Sequence, residues 1–300
     1  MEKNSGGILI PLCSPCDAQD RFLPGEFEQA VRLSLREPAD GLYVCGGTGE
    51  GLKMRLEERK EACEIAVSAA SGSGRHVLVQ IGAHTWRDAL ELAEHAARTG
   101  ADAISSIPLP DASQAELAAY YRAVAAASGL DTIIYHTPQS SQTVEQVLEC
   151  LEIPGVTGVK SSSSDFFFTI RLLAELPQGK ILFNGKDEYT VPAAVQGAHG
   201  GIGMWANVFP AAYADMYRLA KAGSFREAFA LQTKLNELCC TAVSMGLLPS
   251  FSCILRCQGR WDRVFRAPAA QPDEAFCRAF LERTGTLLEE LCTYGKGGRT

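Results

Sequence analysis

The sequence predicts an α/β protein, a (β/α)8 barrel with a C-terminal helical extension. Short β-rich runs alternate with helical patterns, as parallel strands joined by helices require. Eight such runs can be counted, the number that closes a TIM barrel. The chain of 300 residues is 46% hydrophobic and only 21% charged, so it can bury one large core, and a single barrel takes about 250 residues.

The elements follow in order. Met1 to Gly7 lead directly into the first strand, without the apolar core of about 7 to 15 residues that marks a signal peptide. The predicted strands are 7–11, 41–44, 77–81, 103–107, 132–136, 156–160, 181–184 and 200–203. Helical patterns at 24–36, 55–70, 86–98, 113–127, 143–151 and 165–175 fill the gaps between them. After residue 205 the strand signal stops and helices take over, at 207–222, 224–244 and around 273–291. Gly223 and Ser224 mark a break, with Ser224 as the expected N-cap. The expected partition is a barrel over 1–222 and a helical subdomain over 223–300, packed under the barrel or against a neighbouring subunit.

Charge and cysteine content narrow the function. The formal net charge of −7, with scattered Lys and Arg, offers no field for phosphate backbones and argues against nucleic acid. No apolar stretch approaches the roughly 18 residues of a membrane span, so a cytoplasmic protein with no membrane partner is expected. The eleven cysteines are read as reduced apolar fillers, Cys45, Cys63, Cys150 and Cys277 among them. Cys13-Ser14-Pro15-Cys16 has C-x-x-C spacing but no second pair to complete a zinc site, and reads as a loop.

In such barrels chemistry gathers where strands end and loops begin. Lys160 sits there, between the apolar run Gly155 to Val159 and the serines 161–164. It is either a lysine snorkelling into solvent or an amine whose pKa is lowered by burial, able to attack a ketone. Gly46-Gly47-Thr48-Gly49-Glu50-Gly51 follows the second strand, and its backbone N–H groups with the Thr48 hydroxyl can hold a carboxylate or phosphate. Tyr135 ends the fifth strand, 25 residues before Lys160, where adjacent parallel strands bring the phenol beside the amine. Asp187 and Glu188, after Asn184-Gly185-Lys186, can accept from sugar hydroxyls or serve an ordinary helix N-terminus. Gly200-Gly201-Ile202-Gly203 closes the eighth strand and lets a ligand approach the backbone.

These motifs resemble the pyruvate-dependent class I aldolases of the N-acetylneuraminate lyase and dihydrodipicolinate synthase family, from about residue 6 to at least 225. Asp40 to Glu50 is similar to the family's carboxylate-binding segment, Tyr135-His136-Thr137-Pro138 to its Tyr-Asn-x-Pro motif, and Gly158-Val159-Lys160 to its Schiff-base segment. Phe183 to Glu188 is closest to the lyase branch, where Gly-x-Asp-Glu contacts the polyhydroxylated part of a sialic acid. Ser162 matches that branch's threonine. Synthases carry an arginine five residues after the motif tyrosine, and this chain has Ser140 there.

The resemblance implies Lys160 as the Schiff-base nucleophile and Tyr135 as the proton-moving group. It implies Gly47 and Thr48 as carboxylate holders, and Ser162, Gly185, Asp187, Glu188 and Gly203 around the sugar. It also implies no metal or organic cofactor, pyruvate with an aldehyde sugar as substrates, and a homo-oligomer, tetramer or dimer. Four departures stand out. Gly47 replaces one of two loop hydroxyls, as in the family's keto-deoxyglucarate dehydratases. Pro108-Leu109-Pro110-Asp111 lacks the interface tyrosine, and Met204 replaces a ligand-contacting serine. His136 replaces an asparagine and is expected to be a satisfied structural histidine facing the helices. The alternatives are therefore a 2-oxo-3-deoxy sugar-acid dehydratase or aldolase, a synthase-like enzyme, and a sugar-acid-binding protein with weak catalysis.

Overall fold

The structure, a computed structural model, describes residues 6–108 and 112–294. The departure at 109–111 therefore lies outside the described residues. Eight parallel strands close into a barrel in chain order: β1 (Gly7–Pro11), β2 (Gly41–Val44), β3 (His76–Gln80), β4 (Ala103–Ser106), β5 (Asp131–His136), β6 (Val156–Ser161), β7 (Ile181–Asn184) and β8 (Gly200–Gly201). β8 lies hard against β1, which leaves no room for a side chain at Gly200: a Cβ there would stand 2.0 Å from the Gly7 carbonyl oxygen.

The period of two along each strand sorts side chains between two cores. Leu9, Tyr43, Leu78, Ile133, Tyr135, Ile181, Phe183 and Ile202 fill the barrel interior. Ile8, Ile10, Leu42, Val44, Val77, Val79, Ile134, Val159 and Leu182 point outward into the layer shared with the helices. Lys160 pairs in register with Tyr135 on one side and Phe183 on the other, both interior residues.

The surrounding helices are α1 (Pro24–Ser34), α2 (Leu56–Ala70), α3 (Trp86–Thr99), α4 (Gln114–Ser128), α5 (Val144–Leu151), α6 (Phe166–Ala174), α7 (Thr190–Val195) and α8 (Pro210–Lys221). Their starts are chemically marked. Thr85, Ser113, Thr143 and Asp165 each accept a backbone N–H from the first turn of the helix that follows.

The tail comprises α9 (Phe225–Met245), α10 (Leu247–Cys257) and α11 (Glu274–Thr293). α10 has no counterpart among the helices expected from the sequence. Gly246, at φ 118°, ends α9, and Pro249 falls in the first turn of α10, where a missing N–H costs nothing. Ser224 occupies the N-cap position of α9, but its hydroxyl makes no capping bond. Instead the Ser224 backbone N–H closes the preceding turn onto the Leu219 carbonyl.

Nor does the tail pack under the barrel. It grips the loops at the carboxyl ends of the strands. Arg266 donates to the Ser14 and Asp20 carbonyls, its backbone N–H donates to Glu50, and Gln232 donates to the Asp187 carbonyl. Trp205, Phe251 and Phe265 pack behind them in tilted contacts, with centroids 5.5 and 5.9 Å apart. Among the described residues no single helix is long and apolar enough to cross a membrane.

Candidate active site

Lys160 is 4% exposed and points into the barrel between two phenol rings. Its Nζ lies 3.9 Å from the centroid of Tyr135 and 4.4 Å from that of Tyr43, and the two rings meet edge to face at 6.1 Å. Burial lowers the lysine pKa from its ordinary value, and Tyr135 and Asp187 offset part of that fall. The snorkelling reading therefore fails: the stem does not carry the amine to water. Tyr43, which sequence reasoning missed, is buried too, its hydroxyl hydrogen-bonded to Ser105 Oγ at 2.8 Å. The only available signal was a polar aromatic at an inward position of an apolar strand.

The Tyr135 hydroxyl reaches toward the β2 loop, where a Cβ on Gly47 would stand 3.3 Å from Oη. In that loop the left-handed positions fall on Cys45 (φ 57°) and Glu50 (φ 51°), not on glycines. The glycines are required by close approach: a Cβ on Gly46 would meet the Tyr43 ring at 2.3 Å, and one on Gly51 the Cys45 carbonyl oxygen at 2.0 Å. Lys53 Nζ and the Arg266 N–H, both donating to the Glu50 carboxylate at 2.6 Å, hold that strained residue in place. The N–H groups of Gly47 and Thr48 donate to no acceptor among the described residues.

On the other side of Lys160, β6 and β7 bring Ser162 and Gly185 together. A Cβ on Gly185 would lie 2.1 Å from Ser162 Oγ and 3.1 Å from Lys160 Cε, so glycine here leaves room for the lysine stem. Asp187 is buried and does not cap its own helix. It accepts the backbone N–H groups of Met204 at 3.1 Å and Trp205 at 3.0 Å, at the start of the 3₁₀ turn after β8. Gly203 is glycine for the same reason, since a Cβ would stand 2.2 Å from Asp187 Oδ1 and 2.0 Å from Tyr213 Oη. The space a side chain would take there is filled by the Asp187 carboxylate and the Tyr213 hydroxyl. Glu188 is half-exposed and pairs with Lys186 at 3.6 Å.

Burial raises the Asp187 pKa from 3.8 to about 7, against the pull of the two N–H donors. The folded state thus holds this proton more tightly than the unfolded chain. Its contribution to stability is fully present below pH 3.8 and is lost as pH rises through about 7. In Asp187→Asn the fall in melting temperature across that window should be shallower than in the parent protein, as two thermal-denaturation series would show.

A cleft of about 640 Å³ opens on the β2 to β5 side of the lysine, lined by Gly46, Gly47, Gln80, Tyr135, Thr137 and Ser140 among others. That volume suits a small molecule. The predicted residues thus fall into two groups around Lys160. Gly47 and Tyr135 face the cleft, with Thr48 next to Gly47. Ser162, Gly185, Asp187, Glu188 and Gly203 lie toward β7 and β8. Ser140 in the cleft is a neutral group tied to Thr137, accepting its N–H at 2.9 Å. His136 faces α6 as expected, stacked on Phe168 at 4.2 Å, but neither ring nitrogen has a partner of normal geometry. Burial pushes its pKa down to about 4, so it packs as a neutral aromatic.

The Dihydrodipicolinate synthetase family model matches residues 4–280. The chain belongs to this family. Among its relatives, the N-acetylneuraminate lyase of Rhizobium meliloti (strain 1021) is 32% identical over 287 residues, covering 94% of this chain and 95% of that protein. Among solved structures, the N-acetylneuraminate lyase from Fusobacterium nucleatum superposes with a TM-score of 0.86 at 27% identity, covering 94% of this chain and 99% of the other. Ruminococcus gnavus sialic acid aldolase gives 0.88 at 25% identity, covering 97% and 100%. Membership of the family places this chain among the class I aldolases and lyases.

Proposed function

We propose that this protein is a Schiff-base lyase of the N-acetylneuraminate lyase type, joining or cleaving pyruvate and an aldehyde sugar. A buried, pKa-lowered Lys160 facing the Tyr135 ring at 3.9 Å carries the reading. The amine attacks the 2-oxo carbon of pyruvate or of the sugar acid, water leaves, and the iminium accepts the electron pair when the carbon–carbon bond breaks. Tyr135 takes the proton of the sugar C4 hydroxyl in that step and returns it in the reverse direction. The free N–H groups of Gly47 and Thr48, with the Thr48 hydroxyl, hold the carboxylate. Ser162, Glu188 and the Asp187 turn border the sugar. The absence of an arginine at Ser140 favours a hydroxylated tail over a second carboxylate.

The test is direct: incubate the protein with N-acetylneuraminate and quantify pyruvate release. Appearance of pyruvate with an amino sugar supports the assignment. Gly47 favours one other reading, a 2-oxo-3-deoxy sugar-acid dehydratase, in which water rather than pyruvate is the leaving group. Product analysis on such sugar acids separates the two. Binding of a sialic acid with no product from either class would leave a sugar-acid-binding protein. We also take the protein to work as a cytoplasmic homo-oligomer, a matter for light scattering in solution.

The position of Gly47 yields a gain-of-function expectation. Its side-chain space meets only the Tyr135 hydroxyl, so Gly47→Ser sets a second hydroxyl beside the phenol and completes a proton relay. Turnover should rise about tenfold, a fraction of what positioned acid–base groups contribute. Steady-state kcat measures it, and a fall in kcat would mean that the new side chain displaces the phenol.

A further inference from the structure

Gln80 ends β3, lines the cleft and is 3% exposed. It lies two residues after Leu78 of the interior core and so shares its inward parity. Its partner is Arg59 of α2, itself 4% exposed. Arg59 Nη2 donates to the Gln80 carbonyl at 2.7 Å and to Gln80 Oε1 at 3.3 Å, while Nη1 donates to the Gly82 carbonyl at 3.0 Å. A guanidinium has donors only, so the amide must turn its oxygen toward Arg59 and its Nε2 away.

Nε2 has no acceptor among the described residues. Two carbonyls already serve the arginine, so the added contact to Oε1 chiefly sets the direction of the amide. The donor it aims belongs to a residue that lines the same cleft as Gly47 and Tyr135.

We propose that Gln80 binds the substrate, donating from Nε2 to one of its oxygens, and that Arg59 is the positioning residue that aims this donor. The inference rests on the cleft being the substrate site of the lyase reading. Either a carboxylate oxygen of the pyruvyl unit or a sugar hydroxyl has the required chemistry.

Gln80→Glu tests it, because the new side chain still offers Arg59 an acceptor but has no hydrogen to give. Gln80→Met removes the donor without adding charge, and decides the matter should the first variant fold poorly. Two constants are read on each: the pyruvate concentration that half-saturates borohydride trapping at Lys160, and KM for N-acetylneuraminate. A rise of about tenfold in both identifies a carboxylate oxygen, and a similar rise in KM alone identifies a sugar hydroxyl. If Gln80 serves only to satisfy Arg59, Gln80→Glu leaves both constants within about twofold of the parent protein, and the proposal is overturned. A parent protein that forms no adduct on Lys160 overturns the lyase reading and this inference together. An adduct with unchanged constants overturns the inference alone.

Discussion

Lys160→Ala is expected to abolish the pyruvyl adduct and to lower turnover by about 10⁴-fold or more, since the covalent path disappears with the nucleophile. The measurement is incubation with pyruvate and borohydride followed by peptide mass spectrometry, beside a pyruvate-release assay. In the parent protein the adduct should appear on Lys160 and on no other lysine, because Lys160 is the amine that the fold buries between two aromatic rings. The pH dependence follows from the lowered pKa. Only the neutral amine attacks, so trapping should rise with pH and reach half its maximum below 10.5, the ordinary value for lysine. Alanine should not destabilise the fold, because it removes a charge that burial disfavours. A variant that melts no lower than the parent yet keeps turnover would sink the Schiff-base assignment.

Tyr135→Phe should behave differently. The ring remains, and with it the face presented to Lys160 Nζ at 3.9 Å and the edge-to-face contact with Tyr43 at 6.1 Å. What disappears is the hydroxyl beside Gly47. Adduct formation with pyruvate should therefore survive, while kcat for carbon–carbon cleavage falls by about 10² to 10⁴, the usual contribution of a positioned acid or base. Comparing the trapping yield with single-turnover cleavage separates these effects. Loss of both together would place the phenol in imine formation rather than in the later proton transfer. Equal cleavage rates in variant and parent would assign the proton to another group.

The barrel and Lys160 were legible because both depend on local pattern. Alternating apolar runs mark strands, and a lysine that ends one of them stands at the carboxyl rim of any such barrel. The assignment of Asp187 was only half legible. Its carboxylate type was visible, but its partners are the N–H groups of Met204 and Trp205, which lie on the next strand's loop and are set by β7 to β8 pairing. Likewise, a helix N-cap at Ser224 followed a sound local rule, and the backbone chose another closure.

By itself the sequence determined the order of the eight strands, their closure into a barrel, and the place of Lys160 beside Tyr135 across a strand pair. Periodicity and strand ends are properties of a few consecutive residues, so they can be read directly from the chain. The tertiary structure alone decided that Tyr43 forms the second wall of the lysine, that Arg59 aims Gln80, and that the tail grips the loops around the site. Those contacts join residues between 21 and 216 positions apart, and the closed barrel brings them within hydrogen-bonding or amine-to-ring distance.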